Sequence, residues 1–161
     1  MKHSLLMILA FMLILIGSAS SCSKEDDQIN IEDDQINTEN DTIMANGKIK
    51  IMINSQTFTA TLLDNNSAKA FSEMLPLTLN MTELNGNEKY YDMPNSLPTN
   101  SSNPRMIKSG DLMLYGSNTV VLFYEDLNTS FSYTRMGKID DPTGLRNALG
   151  TGNVTVTFEM E

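Results

Sequence analysis

Gly110-Asp111-Leu112-Met113-Leu114-Tyr115-Gly116-Ser117-Asn118-Thr119-Val120-Val121-Leu122-Phe123-Tyr124 reads as two strands joined by a tight turn. Leu112 to Tyr115 and Thr119 to Tyr124 are rich in large apolar and β-branched residues, and Gly116-Ser117-Asn118 supplies the reversal between them. A further strand is expected from Phe131 to Ile139. Upstream, Ile49, Ile51 and Ile53 alternate with Lys48, Lys50 and Met52, then Asn54-Ser55 offers a turn. Phe58, Ala60 and Leu62 alternate with Thr57, Thr59 and Thr61 beyond it, so Gly47 to Leu63 is a hairpin with one apolar face.

Between these hairpins the signals continue. Asn66 or Ser67 can cap a short helix whose face carries Ala68, Phe71 and Met74-Leu75, and Pro76 closes it. Leu77, Leu79 and Met81 alternate as a strand, Asn85-Gly86-Asn87 is a turn, and Glu88 to Met93 is a short segment with Tyr90 and Tyr91. Pro94 to Pro104 is a loop too polar and too broken for a core element, of the kind that borders sites. Asp141-Pro142-Thr143-Gly144 opens a second helix with its cap at Asp141. Leu145, Ala148 and Leu149 face inward, Gly150 stops the helix, and Val154, Val156 and Phe158 form a last strand. Short strands in series with two short helices predict a mainly β fold, a closed barrel rather than a βαβ sheet.

The N-terminal part has another chemistry. Lys2 and His3 precede a twelve-residue apolar run, Leu5 to Ile16. A span needs roughly 20 apolar residues, so this run has the length of a signal-peptide core. Small residues then lead to the single cysteine in Ala19-Ser20-Ser21-Cys22, which resembles a lipobox, with Ala19 where Leu is usual. Residues 1–21 are therefore expected to be a lipoprotein signal peptide. The Cys22 thiol takes a diacylglyceryl group, and cleavage frees its amine for a further acyl chain such as palmitate. Each buried methylene contributes about 0.8 kcal/mol, and two or more chains hold stably where one holds marginally.

Residues 22–46 then form an expected disordered tether carrying the lipidated cysteine. After Cys22 it holds eight carboxylates against Lys24, a net of −7 out of the chain's −9, and no aromatic residue. Such a stretch buries too little to offset its ordering entropy. Asp26-Asp27-Gln28-Ile29-Asn30 recurs as Asp33-Asp34-Gln35-Ile36-Asn37, short of the three or four heptads of a coiled coil. Ser23-Lys24-Glu25-Asp26-Asp27 resembles the acidic export signal of some Gram-negative surface lipoproteins. The expected address is the bacterial outer membrane, its outer face included.

Residues 47–161 are the expected folded domain. They are nearly neutral, with nine basic and twelve acidic groups, and no basic patch points to nucleic acid. The only histidine is His3 and the only cysteine Cys22, so the domain lacks the donors of the usual zinc sites and of Ser/His/Asp or Cys/His catalysis. It has no phosphate-cradling glycine motif. No catalytic residue, metal ligand or cofactor is assigned.

Gly110-Asp111-Leu112, Leu122-Phe123-Tyr124 and Tyr133-Thr134-Arg135-Met136-Gly137-Lys138-Ile139, with Pro94-Asn95-Ser96-Leu97-Pro98, resemble the small bacterial cyclophilin-like domain family across residues 48 to 159. The resemblance implies a cyclophilin-like β-barrel. True cyclophilins isomerise prolyl bonds, lowering a barrier of about 18–20 kcal/mol, with an arginine aimed at the prolyl nitrogen and flanking Gln, Phe, Trp and His. This chain has no Trp; Tyr91 falls near the expected arginine, Tyr133 near the expected histidine, and Val121-Leu122-Phe123 in the Gln and Phe region. The resemblance thus implies a degenerate cleft lined by Tyr90, Tyr91, Met93, Met113, Tyr115, Phe123, Tyr133 and Arg135, holding a peptide or small ligand. A weak isomerase or envelope folding helper is the alternative.

The anchor has a direct check. Cys22→Ala is expected to move the protein from the membrane to the soluble fraction, and unchanged retention after carbonate washing would sink the lipid attachment.

Overall fold

Backbone alternation turns the N-terminal hairpin into the first wall of a barrel. The structure is a computed structural model that describes residues 42–161; Cys22, the expected signal peptide and the acidic repeat lie outside them. Strand β1 (Ile43–Ile53) pairs with β2 (Gln56–Leu63) across Asn54-Ser55. Asn54 takes a left-handed φ of 54, which Asn tolerates, so the turn closes without glycine. The strand begins four residues before the expected domain boundary at Gly47. A register shift between Ile43 and Lys48 carries the chain to an Ile43–Leu63 pair. The apolar residues Ile43, Met44 and Ala45, after the last carboxylate at Asp41, belong to the barrel strand rather than to the tether.

Helix α1 (Asn66–Ser72) is capped by Asn65, not by Asn66 or Ser67. Asn65 is extended and its side chain accepts the Ala68 N–H at 2.9 Å, whereas Ser67 already lies inside the helix and donates to the Pro98 carbonyl. Strands β3 (Leu77–Leu84) and β4 (Glu88–Asp92) form the next hairpin. After β5 (Met106–Ile107) come β6 (Asp111–Tyr115) and β7 (Thr119–Phe123), joined by the Gly116 turn, then β8 (Leu127–Asn128) and β9 (Tyr133–Ile139). Helix α2 (Leu145–Leu149) is shorter than expected, because Asp141 caps a turn at the Thr143 N–H and Gly144, at φ 84, precedes the helix without a side-chain cap. Strand β10 (Val154–Met160) ends the fold.

Eight strands close in the order β1-β10-β3-β4-β7-β6-β9-β2, all antiparallel, while β5 and β8 make a separate two-stranded ribbon. Register aligns the inward side chains into rows: Phe58, Ile51 and Phe158 face one another, as do Ile53, Val156 and Leu79. These are buried, and each such large side chain contributes about 1.5–3 kcal/mol by leaving water. Where β9 crosses β2, a Cβ on Gly137 would sit 2.7 Å from the Thr61 carbonyl oxygen, so only glycine allows the approach.

Two helices close opposite ends. Phe71 of α1 meets Phe158 edge-on, with ring centroids 5.5 Å apart. Leu145, Ala148 and Leu149 of α2 enter from the other end, where Asn54 donates to the Ala148 carbonyl. Beside α2 the interior holds a charge. Lys89, fully buried, pairs with Glu83 and donates to the carbonyls of Gly150 and Gly152 at 2.9 and 2.6 Å. Its ammonium also lies 5.3 Å from the centre of the Tyr124 ring. The Tyr124 hydroxyl donates to Glu83, and burial, then Glu83, push it up to about 12. Burial opposes ionisation of Glu83, yet Lys89, Tyr124 and the Gly86 N–H outweigh it and hold the carboxyl below its usual range.

Lys89→Ala is expected to lower the unfolding free energy by about 3–5 kcal/mol, the cost of stranding a buried partner. Equilibrium urea denaturation reads this directly. A loss below about 1 kcal/mol, typical of an exposed pair, would show that the plug adds no stability.

Candidate functional site

One extra residue decides what the outer wall of the barrel presents. In a strand, side chains alternate between faces, so a one-residue insertion inverts every side chain beyond it. Between β6 and β9 the register runs Leu112↔Gly137 and then Met113↔Arg135, leaving Met136 unmatched. Met136 is buried in the main core. Beyond it, Arg135 and Tyr133 share the outer face with Met113 and Tyr115, while Thr134 pairs with the core residue Leu114.

The outer face of β4, β7, β6 and β9 then carries two cross-strand rows. Tyr90, Val121, Met113 and Arg135 form one, and Asp92, Thr119, Tyr115 and Tyr133 the other. Ile107 and the partly buried Leu127, from the β5–β8 ribbon, pack against Met113, Val121, Phe123 and Tyr133 as a second small core outside the barrel. The ribbon therefore stands as a wall, and a cleft of about 540 Å³ opens beside it. Tyr90, Tyr115, Tyr133, Val121, Leu127 and Phe131 line it, with Leu84 at the β3 end.

The rings step from interior to solvent. Phe123 is fully buried and meets Tyr133 edge-on at 5.6 Å, Tyr133 meets Tyr115 at 5.4 Å, and Tyr115 meets Phe131 edge-on at 6.2 Å. Tyr115 is 45% and Phe131 60% exposed. The loop from Pro94 positions this ladder, because Ser102 exchanges both backbone hydrogen bonds with Tyr133 at 2.9 and 3.0 Å. The same loop is less peripheral than its composition suggests, since Leu97 is buried in the main core.

The charged groups of the cleft, among the described residues, are carboxylates. Glu88 and Asp92 line it, and among the described residues its lining contains no lysine, arginine or histidine. Asp92 accepts the Thr119 hydroxyl at 2.6 Å. Glu88 is half-buried, and burial, then the charge of Glu83, push its carboxyl above the usual range. Burial and then Glu88 push the Tyr133 hydroxyl up as well, against a hydrogen bond with Thr129. Asn87, also in the lining, buries an amide oxygen that meets no donor among the described residues. Among those residues no three His, Cys, Asp or Glu side chains come together as a metal ligand set.

The eight residues expected in one cleft are divided. Tyr90, Tyr115 and Tyr133 line the large cleft, and Phe123 lies beneath it in contact with Tyr133. Met113 and Arg135 line a separate cavity of about 260 Å³ with Asp111, Lys138, Asp140 and Ile43. Tyr91 and Met93 pack with the main core, because Tyr91 alternates with Tyr90 along β4 and cannot share its face. Glu88, Asp92 and Phe131 were not among the expected residues. Phe131 had a readable signal, an aromatic between Ser130 and Ser132, but it reads as the first residue of a strand that begins at Tyr133.

The comparisons agree with this architecture. The model of the cyclophilin-like family matches residues 51–159. The solution structure of a hypothetical protein from Archaeoglobus fulgidus is similar at 15% identity and a TM-score of 0.56, covering 77% of this chain and 99% of that one. At that identity the likeness shows the fold alone. No curated protein matches the sequence.

Phe131 and Phe123 separate cleft lining from packing. Phe123→Ala is expected to cost about 3–5 kcal/mol of stability, and Phe131→Ala no more than about 0.5 kcal/mol. Thermal or urea unfolding of both variants checks the contrast; a large loss at Phe131 would make it a structural residue.

Proposed function

This chain belongs to the cyclophilin-like family, and from that premise we propose a lipid-anchored envelope protein whose barrel binds a peptide or small molecule. The observation that carries the binding reading is the aromatic cleft beside the β5–β8 ribbon. Its volume of about 540 Å³ lies within the range of small-molecule sites, about 300–1,000 Å³. Isolated exposed apolar residues are ordinary, whereas Leu84, Tyr115 and Phe131 stand exposed around a single concavity. Tyrosine suits such a surface, since it joins a large apolar ring to a polar tip.

The placement of Arg135 favours binding over prolyl isomerisation. It lines the smaller cavity with Asp111, Lys138 and Asp140, and the charged side chains that line the large cleft among the described residues are carboxylates. The anchor rests on Cys22 and the small residues before it, and the outer-membrane address on the acidic run after it.

Two assays on the full chain test this reading. In a fragment screen followed by amide chemical shifts, hits are expected to perturb residues 88–92, 115–121 and 127–133; hits confined to other faces would remove the cleft. In a proline-peptide assay the rate is expected to stay at the uncatalysed value, and turnover abolished by Arg135→Ala would make the protein an isomerase instead.

A further inference from the structure

The chemistry of the large cleft selects among ligands by charge. Two kinds of group converge there, the rings of Tyr90, Tyr115, Phe131 and Tyr133 and the carboxylates of Glu88 and Asp92, with no basic side chain among the described residues. An aromatic ring carries negative potential on its face and attracts a cation placed over it. A carboxylate in a half-apolar wall has lost part of its hydration and gains most from a partner of opposite charge.

The two carboxylates differ in what they already hold. Asp92 is engaged by the Thr119 hydroxyl. The Glu88 carboxylate makes no salt bridge or hydrogen bond among the described residues, although Lys89 is its chain neighbour. That lysine points into the barrel, where Glu83 and two carbonyls occupy it, while Glu88 stands on the outer face opposite Phe123. Glu88 is close enough to Tyr133 to perturb its hydroxyl, so carboxylate and ring ladder share one field.

Three ligand classes meet this site differently. An anion faces two like charges. A neutral apolar body covers the rings but further dehydrates Glu88 without replacing what water supplied. An ammonium on an apolar body satisfies rings and carboxylate together. We propose that the cleft takes an organic cation, an ammonium carried on an apolar or aromatic body, with Glu88 as its counter-charge and Tyr115, Tyr133 and Phe131 as the ring surface. The inference deepens the cleft reading above and rests on it. A free amine and a lysine side chain in a peptide share this chemistry.

Three probes with one body and different heads test it on the full chain: 4-phenylbutylammonium, 4-phenylbutanol and 4-phenylbutanoate, titrated by amide chemical shift. The ammonium is expected to bind about tenfold tighter than the alcohol, and the carboxylate weakest, a margin in keeping with a partly desolvated cation–π contact beside a carboxylate. Glu88→Gln is expected to weaken the ammonium and bring ammonium and alcohol within about twofold of each other. Phe131→Leu, at an exposed position that the fold does not need, is expected to weaken the ammonium more than the alcohol. A capped Phe-Lys amide compared with its norleucine analogue reports the peptide source; a preference for lysine supports the inference, and equal binding confines the cation to free amines. Equal affinity of all three probes at cleft residues overturns the cation and leaves a binding cleft. No shift with any probe overturns both.

Discussion

A single unmatched residue, Met136, sets the two-sidedness on which this barrel depends. With Met136 folded into the core, Ile139 and Met136 both face inward on β9, and Tyr133 and Arg135 both face out. An uninterrupted strand would aim Tyr133 and Arg135 at the interior, because period-two alternation leaves no other choice. The bulge thus buries an additional apolar side chain and provides an aromatic ring on the outside. Gly137 complements it: the neighbouring strand comes too close there for any side chain. The bulge and the glycine together let β9 bend between β2 and β6 while keeping both ladders.

Charge follows the same division between faces. Glu88 and Lys89 are adjacent in sequence and opposite in environment. Lys89 is dry, held by a carboxylate, two carbonyls and a tyrosine ring, the dense set of partners a buried ammonium requires. Glu88 stands outside, half-buried and held towards its neutral form first by desolvation. The barrel interior therefore completes its own electrostatics, and the outer wall does not. Arg135 and Asp111 belong to a third environment, the small cavity beside Ile43, where acidic and basic side chains lie together.

Much of the fold was legible because its signals are local. Ile49, Ile51 and Ile53 alternate against lysines, Asn85-Gly86 and Gly116 mark reversals, and β1–β2, β3–β4 and β6–β7 are hairpins whose pairing follows from short turns. The closure of β10 between β1 and β3 is non-local and has no local signature. The helix starts were displaced by capping details: Asn65 rather than its neighbours, and a turn at Asp141 rather than a cap. For the site, alternation alone could have separated Tyr90 from Tyr91. The outward aim of Tyr133 could not be read, since a bulge leaves no compositional mark in a sequence such as Thr134-Arg135-Met136-Gly137. Arg135 shares the outer face of β9 with Tyr133 but lines the smaller cavity, with Asp111, Lys138 and Asp140.

The β5–β8 ribbon has a dynamic consequence. Its strands are two residues each, paired only to one another, whereas every barrel strand is bonded on both sides. Cooperative units with few backbone bonds open at a smaller free energy than the global one. Ile107 and Leu127 fasten this ribbon to the barrel, and the same stretch of chain continues into Thr129, Ser130 and Phe131. One side of the cleft therefore belongs to a separate foldon from the other. By that rule, amides of residues 106–107 and 127–131 would exchange with solvent through local openings that leave the tyrosines of β4 and β6 in place. A ligand in the proposed cleft would sit between the barrel wall and this two-stranded ribbon, and its release would follow the opening of the ribbon.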